Sequence, residues 1–341
     1  MTILLEKKIR ESNFELLRIV SQYFIVLYHV LLLFISPARD NLFFKAVQIP
    51  LHIGVVVFVL LSGYFTIKAS SRGLIRLMGI FFIYSIPEII FNIWSSESLK
   101  EIIHSCMFFS FTHFWFVKQY VFLFLLSPMI NAFLKNSSSK GQIYLIICLA
   151  FISIYGGTFG ADASLNDGKN IANFLLIYCC GYYIKTTQST WNKISLVKIV
   201  VAYSLFNGTI LGGYMIGNDV IRNMIWRFCF PYSSLGMLAN SVLFFLIFAK
   251  IPFKSKMVNY AALSCFAIYL LHGNRPYVIG FIGLCAKKMV NYFDNDILIM
   301  GGSLLLTFFV ILFAIIVDKL LTPIWTVFEK CGAIVYKRLG V

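Results

Sequence analysis

Long apolar runs separated by short polar segments recur along the chain from residue 14 to residue 328. A helix needs about 20 apolar residues to cross the hydrocarbon core of a bilayer, and most of these runs approach that length. The pattern therefore predicts an all-α, polytopic transmembrane bundle of about ten helices and no soluble domain. The predicted helices lie near 14–36, 50–67, 77–95, 114–134, 141–159, 170–185, 197–217, 225–249, 257–273 and 297–317.

Residues 274–296 fit this pattern least well. Arg275, Pro276 and the pair Lys287–Lys288 flank an apolar run that is short for a full crossing, so a re-entrant or interfacial segment is expected there. After the last apolar run, residues 318–341 are predicted to form a cytoplasmic tail. Residues 1–341 together are predicted to form a single transmembrane domain.

Composition supports a membrane protein, because 60% of the residues are hydrophobic and only 13% are charged, against about 25% charged in an ordinary soluble domain. The formal net charge of +15 does not indicate nucleic acid, since the cations lie between the apolar runs and not on one arm or face. The positive-inside rule explains their placement when both termini are cytoplasmic. The eight cysteines show no CxxC or Cys/His metal spacing, so no metal is expected.

The first predicted helix carries an unusual polar stripe. Glu15, Arg18, Gln22 and His29 are separated by 3, 4 and 7 residues, and this spacing places them on one helix face. Glu15 and His29 are about 21 Å apart along the axis, which suits a pathway through the membrane. The alternative is that Glu15 and Arg18 anchor the helix at the interface while His29 hydrogen-bonds a neighbouring helix. The helix alone favours neither interpretation.

The second predicted helix ends near Ser62 and Gly63, and the cations Lys68, Arg72 and Arg76 follow at intervals of four. If this segment is helical, the three cations line one face beside Arg18. Guanidinium groups match phosphate geometry, so a cytosolic polyphosphate such as coenzyme A or a nucleotide could bind there. Ordinary positive-inside loop charge is the commoner explanation when the segment is considered alone.

Two further segments combine aromatic and polar residues near the outer ends of predicted helices. Residues 111–120 include Trp115, Gln119 and Tyr120, which could belong to an interfacial aromatic belt or could bind a sugar. Residues 267–274 include His272 and Asn274, and His272 alone would pass for an interfacial residue.

Taken in order, these four features resemble acyltransferase family three, the membrane O-acyltransferases of bacterial surface glycans. The matching landmarks span residues 15–274. They are Glu-x-x-Arg with His29 eleven residues after the Arg, Phe-x-x-x-Ser-Gly-Tyr with trailing basic residues, Trp-Phe with Tyr and Ser-Pro, and Tyr-Leu-Leu-His-Gly-Asn. The short forms, similar to capsular or surface polysaccharide O-acetyltransferases, match best. The chain departs from the family at Ser21–Gln22, where small apolar residues are common, and at Gly273, where the short forms often have Asp.

The resemblance implies a bacterial cytoplasmic-membrane enzyme that moves an acetyl group to a sugar hydroxyl of a surface polysaccharide or lipid-linked glycan. Acetyl-coenzyme A would be the co-substrate, with no permanently bound cofactor, and the partners would be the glycan and membrane lipid, not nucleic acid. The residues implied in catalysis are His29, Glu15, Arg18, His272 and Asn274. Those implied in coenzyme A binding are Lys68, Arg72, Arg76, Ser62 and Gly63, and those implied in acceptor binding are Trp115, Gln119 and Tyr120.

Within that mechanism, His29 would act as a general base or as a transient nucleophile, and the sequence does not separate the two. His272 and Asn274 would orient the acceptor or stabilise the oxyanion. Two other classes of function remain open. A flippase for a lipid-linked glycan would also need many helices and intramembrane polar groups, and a non-catalytic membrane sensor could use the same scaffold.

Overall fold

The computed structural model describes residues 10–95, 98–100, 103, 114–159, 165–273 and 277–338. These residues form helices joined by turns and short connections, with no strand among them. Of the α-helices with six or more residues, the first seven are α1 (Ser12–Val30), α2 (Leu42–Leu51), α3 (Gly54–Phe65), α4 (Ser71–Trp94), α5 (Trp115–Asn136), α6 (Ser139–Ala150) and α7 (Ile171–Thr186). The remaining helices are α8 (Leu196–Ile216), α9 (Asp219–Cys229), α10 (Leu235–Lys250), α11 (Lys256–Ala261), α12 (Cys265–His272), α13 (Tyr277–Tyr292) and α14 (Asp296–Arg338).

Seven helical spans within the described ranges are long and apolar enough to cross a membrane. They are Ser12–Ala38, Leu42–Phe65, Ser71–Trp94, Trp115–Asn136, Ser139–Gly157, Leu196–Ile216 and Asp296–Ile324. Helix α10 is apolar but shorter. Each of the ten predicted regions overlaps a helix, and the predicted all-α polytopic bundle is confirmed.

Several predicted boundaries differ from the structure. The single helix predicted over 225–249 is two helices, α9 and α10, with a non-helical connection between them. Residues 274–296, which fitted the pattern least well, contain the 16-residue helix α13. Residues 274–276 lie outside the described part of the chain. Helix α14 does not end near residue 317 but continues to Arg338, so most of the predicted tail is helical. Asp318, the first residue of that tail, is buried and accepts hydrogen bonds from Tyr84 (3.0 Å) and Ser264 (2.7 Å).

Serine and asparagine side chains begin most of the helices. Each accepts a hydrogen bond from a backbone N–H in the first turn, where the helix itself offers no acceptor. The capping residues are Asn41, Ser70, Ser138, Asn170, Ser195, Asn218, Ser234 and Ser255. These caps fix where α2, α4 and α6–α11 start, and they use local chemistry that does not depend on the membrane.

The closest helix contact joins α3 and α7. A Cβ atom at Gly63 would collide with the backbone carbonyl of Tyr178, and one at Gly181 would collide with the backbone carbonyl of Leu60. Small residues allow membrane helices to pack backbone against backbone, because lipid offers no hydrophobic drive for association. Gly63 therefore packs helices together in this structure. Two residues after Gly63, α3 ends at Phe65, and the φ of 57° at Thr66 turns the chain.

Helix α1 lies at the centre of the bundle, packed against α3, α10, α12 and α14. Glu15 and Gln22 are buried in these contacts. After Val30 the helix widens into a π-helical segment, Leu31–Ile35, a feature that is common at functional sites. The polar stripe of α1 therefore faces other helices, and His29 lies just before the irregular turn.

Candidate active site

A large cavity opens beside the first half of α1, and we call it the cationic cavity. It has a volume of about 500 Å³. Its polar lining residues come from α1, α3, α4, α5, α12 and the segments next to them, and they are Arg10, Arg18, Gln22, Ser62, Thr66, Lys68, Arg76, Tyr120, Cys265 and Tyr269. Four cations around one cavity create a positive potential that attracts anionic ligands such as phosphates.

Glu15 fixes the geometry at this end of α1. Its buried carboxylate lies 3.3 Å from Arg10 Nη1 and 3.5 Å from Arg18 Nη1. Arg18 is eleven residues before His29, which corresponds to about 16 Å of helix rise. Arg18 therefore lines the cationic cavity, and Glu15 is paired with it. Both residues lie far from His29 and His272, although the sequence analysis placed all four in one catalytic group.

His29 meets His272 from helix α12. The two rings stack with centroids 5.1 Å apart and an interplanar angle of 19°, and His29 Nδ1 lies 2.9 Å from His272 Nε2. His272 Nδ1 lies 2.9 Å from the backbone carbonyl oxygen of Ile268. Two predicted residues separated by 243 positions in the sequence are thus in direct contact.

This chain of hydrogen bonds determines the tautomers of the neutral rings. A carbonyl oxygen only accepts, so His272 Nδ1 carries the hydrogen and donates it to Ile268. His272 Nε2 then accepts the hydrogen bond that His29 Nδ1 donates. The remaining nitrogen of His29, Nε2, is left with a free lone pair. His29 is therefore oriented as a proton acceptor or a nucleophile, with His272 as the residue that holds it.

The histidine pair lines a second cavity of about 210 Å³, which we call the histidine cavity. Its described lining also includes Phe114, Trp115, Tyr269 and Gly273, and aliphatic residues of α1, the π-helical turn and α13. Among these aliphatic residues, Leu32 and Leu33 are exposed on the outside of the bundle. The site next to His29 is therefore largely apolar and is close to the lipid-facing surface.

A third histidine, His52, was missed by the sequence analysis. It occupies the break between α2 and α3, where its Nδ1 donates to the carbonyl oxygen of Phe230 at 2.9 Å. Its ring stacks on Tyr28 and Phe230 with centroid distances of 4.6 and 4.4 Å. With His29 it lines a small cavity of about 30 Å³. Pro50 and Gly54 bracket His52 in the sequence and were the available signal of a break in this apolar run.

Helix α12 presents three polar or polarisable residues along one face. Cys265, Tyr269 and His272 are spaced by four and three residues, the spacing of one helix face. Cys265 lines the cationic cavity and His272 lines the histidine cavity. Tyr269, between them, lines the cationic, histidine and small cavities. The cationic and histidine cavities therefore adjoin at Tyr269.

The predicted coenzyme A residues do not all gather at the cationic cavity. Lys68 lies in the connection before α4, so the three cations do not share one helix as the spacing suggested. Arg72 and Arg76 are both exposed, but Arg76 lines the cavity and Arg72, one turn earlier, is not among its lining residues. Ser62 lines it and lies 3.2 Å from the Tyr120 hydroxyl, and Gly63 instead faces α7.

The predicted acceptor residues are also divided. Trp115 lines the histidine and small cavities, but Tyr120 lines the cationic cavity. Gln119 is buried and lines none of these three cavities, and its Oε1 atom has no hydrogen-bond partner among the described residues. Asn274 lies outside the described residues.

Comparison with known proteins relates this geometry to a family. Residues 11–318 match the family described as an acyltransferase domain. No curated protein and no solved structure matches the chain. The matched region includes α1, both members of the histidine pair and every lining residue of the cationic cavity except Arg10. The chain belongs to acyltransferase family 3 and is a multi-pass membrane acyltransferase.

Proposed function

We propose that the chain is an O-acetyltransferase that moves an acetyl group from cytoplasmic acetyl-coenzyme A to a hydroxyl of a surface or capsular polysaccharide, or of its lipid-linked precursor. One observation carries the proposal: a cavity lined by cations adjoins a cavity lined by an oriented histidine pair. The first suits a phosphorylated acyl donor and the second suits deprotonation of a hydroxyl. The excess of cations at one end supports placing the donor on the cytoplasmic side of a bacterial membrane.

The donor would bind with its phosphates at Arg18, Lys68 and Arg76 and its pantetheine arm directed along α1. Gln22 lines the cationic cavity between Arg18 and His29, and its Oε1 atom has no partner among the described residues. A buried amide oxygen without a partner is costly unless a ligand satisfies it. The amide groups of a pantetheine arm would do so, and the thioester would then reach His29.

The chemistry follows from the free Nε2 lone pair of His29. His29 removes the proton of the acceptor hydroxyl as its oxygen attacks the thioester carbonyl carbon. The tetrahedral intermediate then breaks its carbon–sulfur bond, and the coenzyme A thiolate recovers the proton from His29. We favour the base over the nucleophile because the histidine cavity of about 210 Å³ leaves room for an acceptor group beside His29 while the donor occupies the separate cationic cavity. Trp115, which lines the histidine and small cavities, offers an aromatic face to the sugar.

A transfer assay tests the proposal. Purified protein is incubated with acetyl-coenzyme A carrying a radiolabelled acetyl group and with chemically de-O-acetylated surface polysaccharide from the producing cells. We expect label in the polysaccharide and an equal amount of free coenzyme A. Movement of unmodified glycan across a membrane would favour a flippase, and glycan binding with no released coenzyme A would favour a sensor.

The two arginines of α4 form a matched pair for testing the donor site. Arg76→Ala should weaken coenzyme A binding about fivefold, because a partly exposed ion pair contributes up to about 1 kcal/mol. The loss should shrink at high salt, since salt screens exposed charges. Arg72→Ala removes the same charge one turn away and should change the Kd much less. Isothermal titration in detergent measures both, and equal effects would contradict the placement of the phosphates.

A further inference from the structure

The proposed reaction leaves one charge without a partner. When the hydroxyl attacks the thioester, the carbonyl oxygen becomes an oxyanion, and donors aimed at that oxygen are usually a large part of catalysis. The sequence suggested His272 for this role. In the structure, His272 Nδ1 donates to Ile268 and His272 Nε2 accepts from His29. In that tautomer His272 has no N–H left to donate to an oxyanion.

Tyr269 occupies the position where such a donor is needed. Among the described residues it alone lines the cationic, histidine and small cavities together. A thioester that passes from the cations to His29 must therefore pass the Tyr269 side chain. Its ring meets the ring of His272, one turn along α12, edge to face with centroids 5.7 Å apart. The phenol is thus next to the histidine pair and next to the donor path.

The surroundings of Tyr269 hold its ring still. It is buried, with 6% of its surface exposed, and its ring packs on Phe116 and Phe114 with centroid distances of 5.3 and 6.1 Å. A phenol hydroxyl can donate one hydrogen bond, so a ring held in this position can offer that hydrogen to a substrate that passes it.

We propose that Tyr269 is a catalytic residue that donates its phenol hydrogen bond to the thioester carbonyl oxygen and stabilises the oxyanion. This role rests on the proposed function. Tyr269 keeps its proton throughout. The hydroxyl proton passes to His29 and then to the departing thiolate, while the carbon–oxygen bond forms and the carbon–sulfur bond breaks. Helix α1 therefore supplies the base, His29. Helix α12 supplies His272, which orients the base, and Tyr269, which donates to the oxyanion.

Trp115 is the competing donor, because its indole N–H lies on a residue that also lines the histidine and small cavities. It does not line the cationic cavity. The hydrogen-bond donor to the thioester should lie on the path that the thioester follows from the cationic cavity to His29. That condition favours Tyr269. Trp115 instead suits the acceptor side of the reaction.

The kinetic test uses Tyr269→Phe, which removes the hydroxyl and keeps the ring packing. We expect kcat for acetyl transfer to fall about 10²–10³-fold, the usual loss for one oxyanion donor, with the Kd for coenzyme A unchanged. Tyr260→Phe is the matched control, since Tyr260 is exposed and lines none of the three cavities. A Tyr269→Phe enzyme with the kcat of the wild type would overturn the proposal. So would a fall in kcat that occurs in Trp115→Phe and not in Tyr269→Phe.

A spectroscopic test reports the hydrogen bond directly. Acetyl-coenzyme A labelled with ¹³C at the carbonyl is bound to the His29→Ala variant, which prevents turnover, and its carbonyl stretch is read by difference infrared spectroscopy. We expect a lowered frequency that returns towards the solution value in the His29→Ala, Tyr269→Phe double variant. An identical frequency in both variants refutes the hydrogen bond. If the wild-type protein transfers no acetyl group, the proposed function itself fails, whereas transfer that survives Tyr269→Phe refutes only the role of Tyr269.

Discussion

Replacing His29 with alanine should lower kcat for acetyl transfer by about 10²–10⁴-fold, the range for a positioned general base, and leave the Kd for coenzyme A unchanged. The hydrogen bonds from His272 to Ile268 and from His29 to His272 fix the tautomers of both rings. In these tautomers, His29 Nε2 has a free lone pair and can accept the proton of the acceptor hydroxyl. The proposed phosphate site at Arg18 lies about 16 Å away along α1, beyond the reach of this substitution. A timed acetyl-transfer assay measures kcat, and titration with coenzyme A measures the Kd.

His272 provides the comparison for this experiment. His272→Ala removes the acceptor that orients His29 and should give a smaller loss than His29→Ala. His272→Gln offers an amide oxygen that can accept from His29 Nδ1, so it should recover part of the rate. Free imidazole should partly restore transfer in His29→Ala, since the adjacent cavity has room for it. Full activity in His29→Ala would remove the base from the mechanism.

A second large effect is expected on stability, at the contact between α3 and α7. Gly181→Ala places a Cβ atom against the backbone carbonyl of Leu60, and neither backbone can move without separating the two helices. Overpacking of this kind costs about 1–3 kcal/mol, and Gly181→Leu should prevent recovery of folded protein. Thermal unfolding in detergent, followed by circular dichroism, measures the change for Gly181→Ala.

Gly208 in α8 is the matched control, because a Cβ atom there meets nothing within 4 Å. Gly208→Ala should leave the unfolding temperature unchanged or raise it slightly, since alanine favours the helix by about 1 kcal/mol. Equal behaviour of the two alanine variants would mean that the close contact between α3 and α7 contributes nothing to stability.

The sequence predicted the fold class and the polar face of α1 because both depend on local periodicity. Apolar runs long enough for a membrane must form helices, since lipid supplies no partners for backbone N–H and C=O groups. The 3, 4 and 7 spacing of Glu15, Arg18, Gln22 and His29 places these residues on one face in any α-helix. The structure shows the surroundings of that face. Arg18 and Gln22 line the cationic cavity, and His29 contacts His272.

Features that depend on tertiary contacts or on helix breaks could not be predicted in the same way. The equal spacing of Lys68, Arg72 and Arg76 suggested one helix face, but the positive φ of Thr66 ends α3 and α4 starts only at Ser71. His52 was hidden because a helix break within an apolar run leaves little trace in hydropathy. The end of helix α9 merged with α10 in the sequence pattern because Trp226, Phe228 and their apolar neighbours continue the run.

In the proposed reaction, an acyl group crosses from the cationic donor cavity to a histidine pair that serves an acceptor on the other side of the membrane. Sealed proteoliposomes with uniformly oriented protein separate the two sides experimentally. Acetyl-coenzyme A with a labelled acetyl group is enclosed on the side of the cationic cavity, and de-O-acetylated surface polysaccharide is added only to the opposite side. We expect labelled polysaccharide from wild-type vesicles and none from His29→Ala vesicles. Label that appears only when donor and acceptor share one compartment would contradict the proposed crossing.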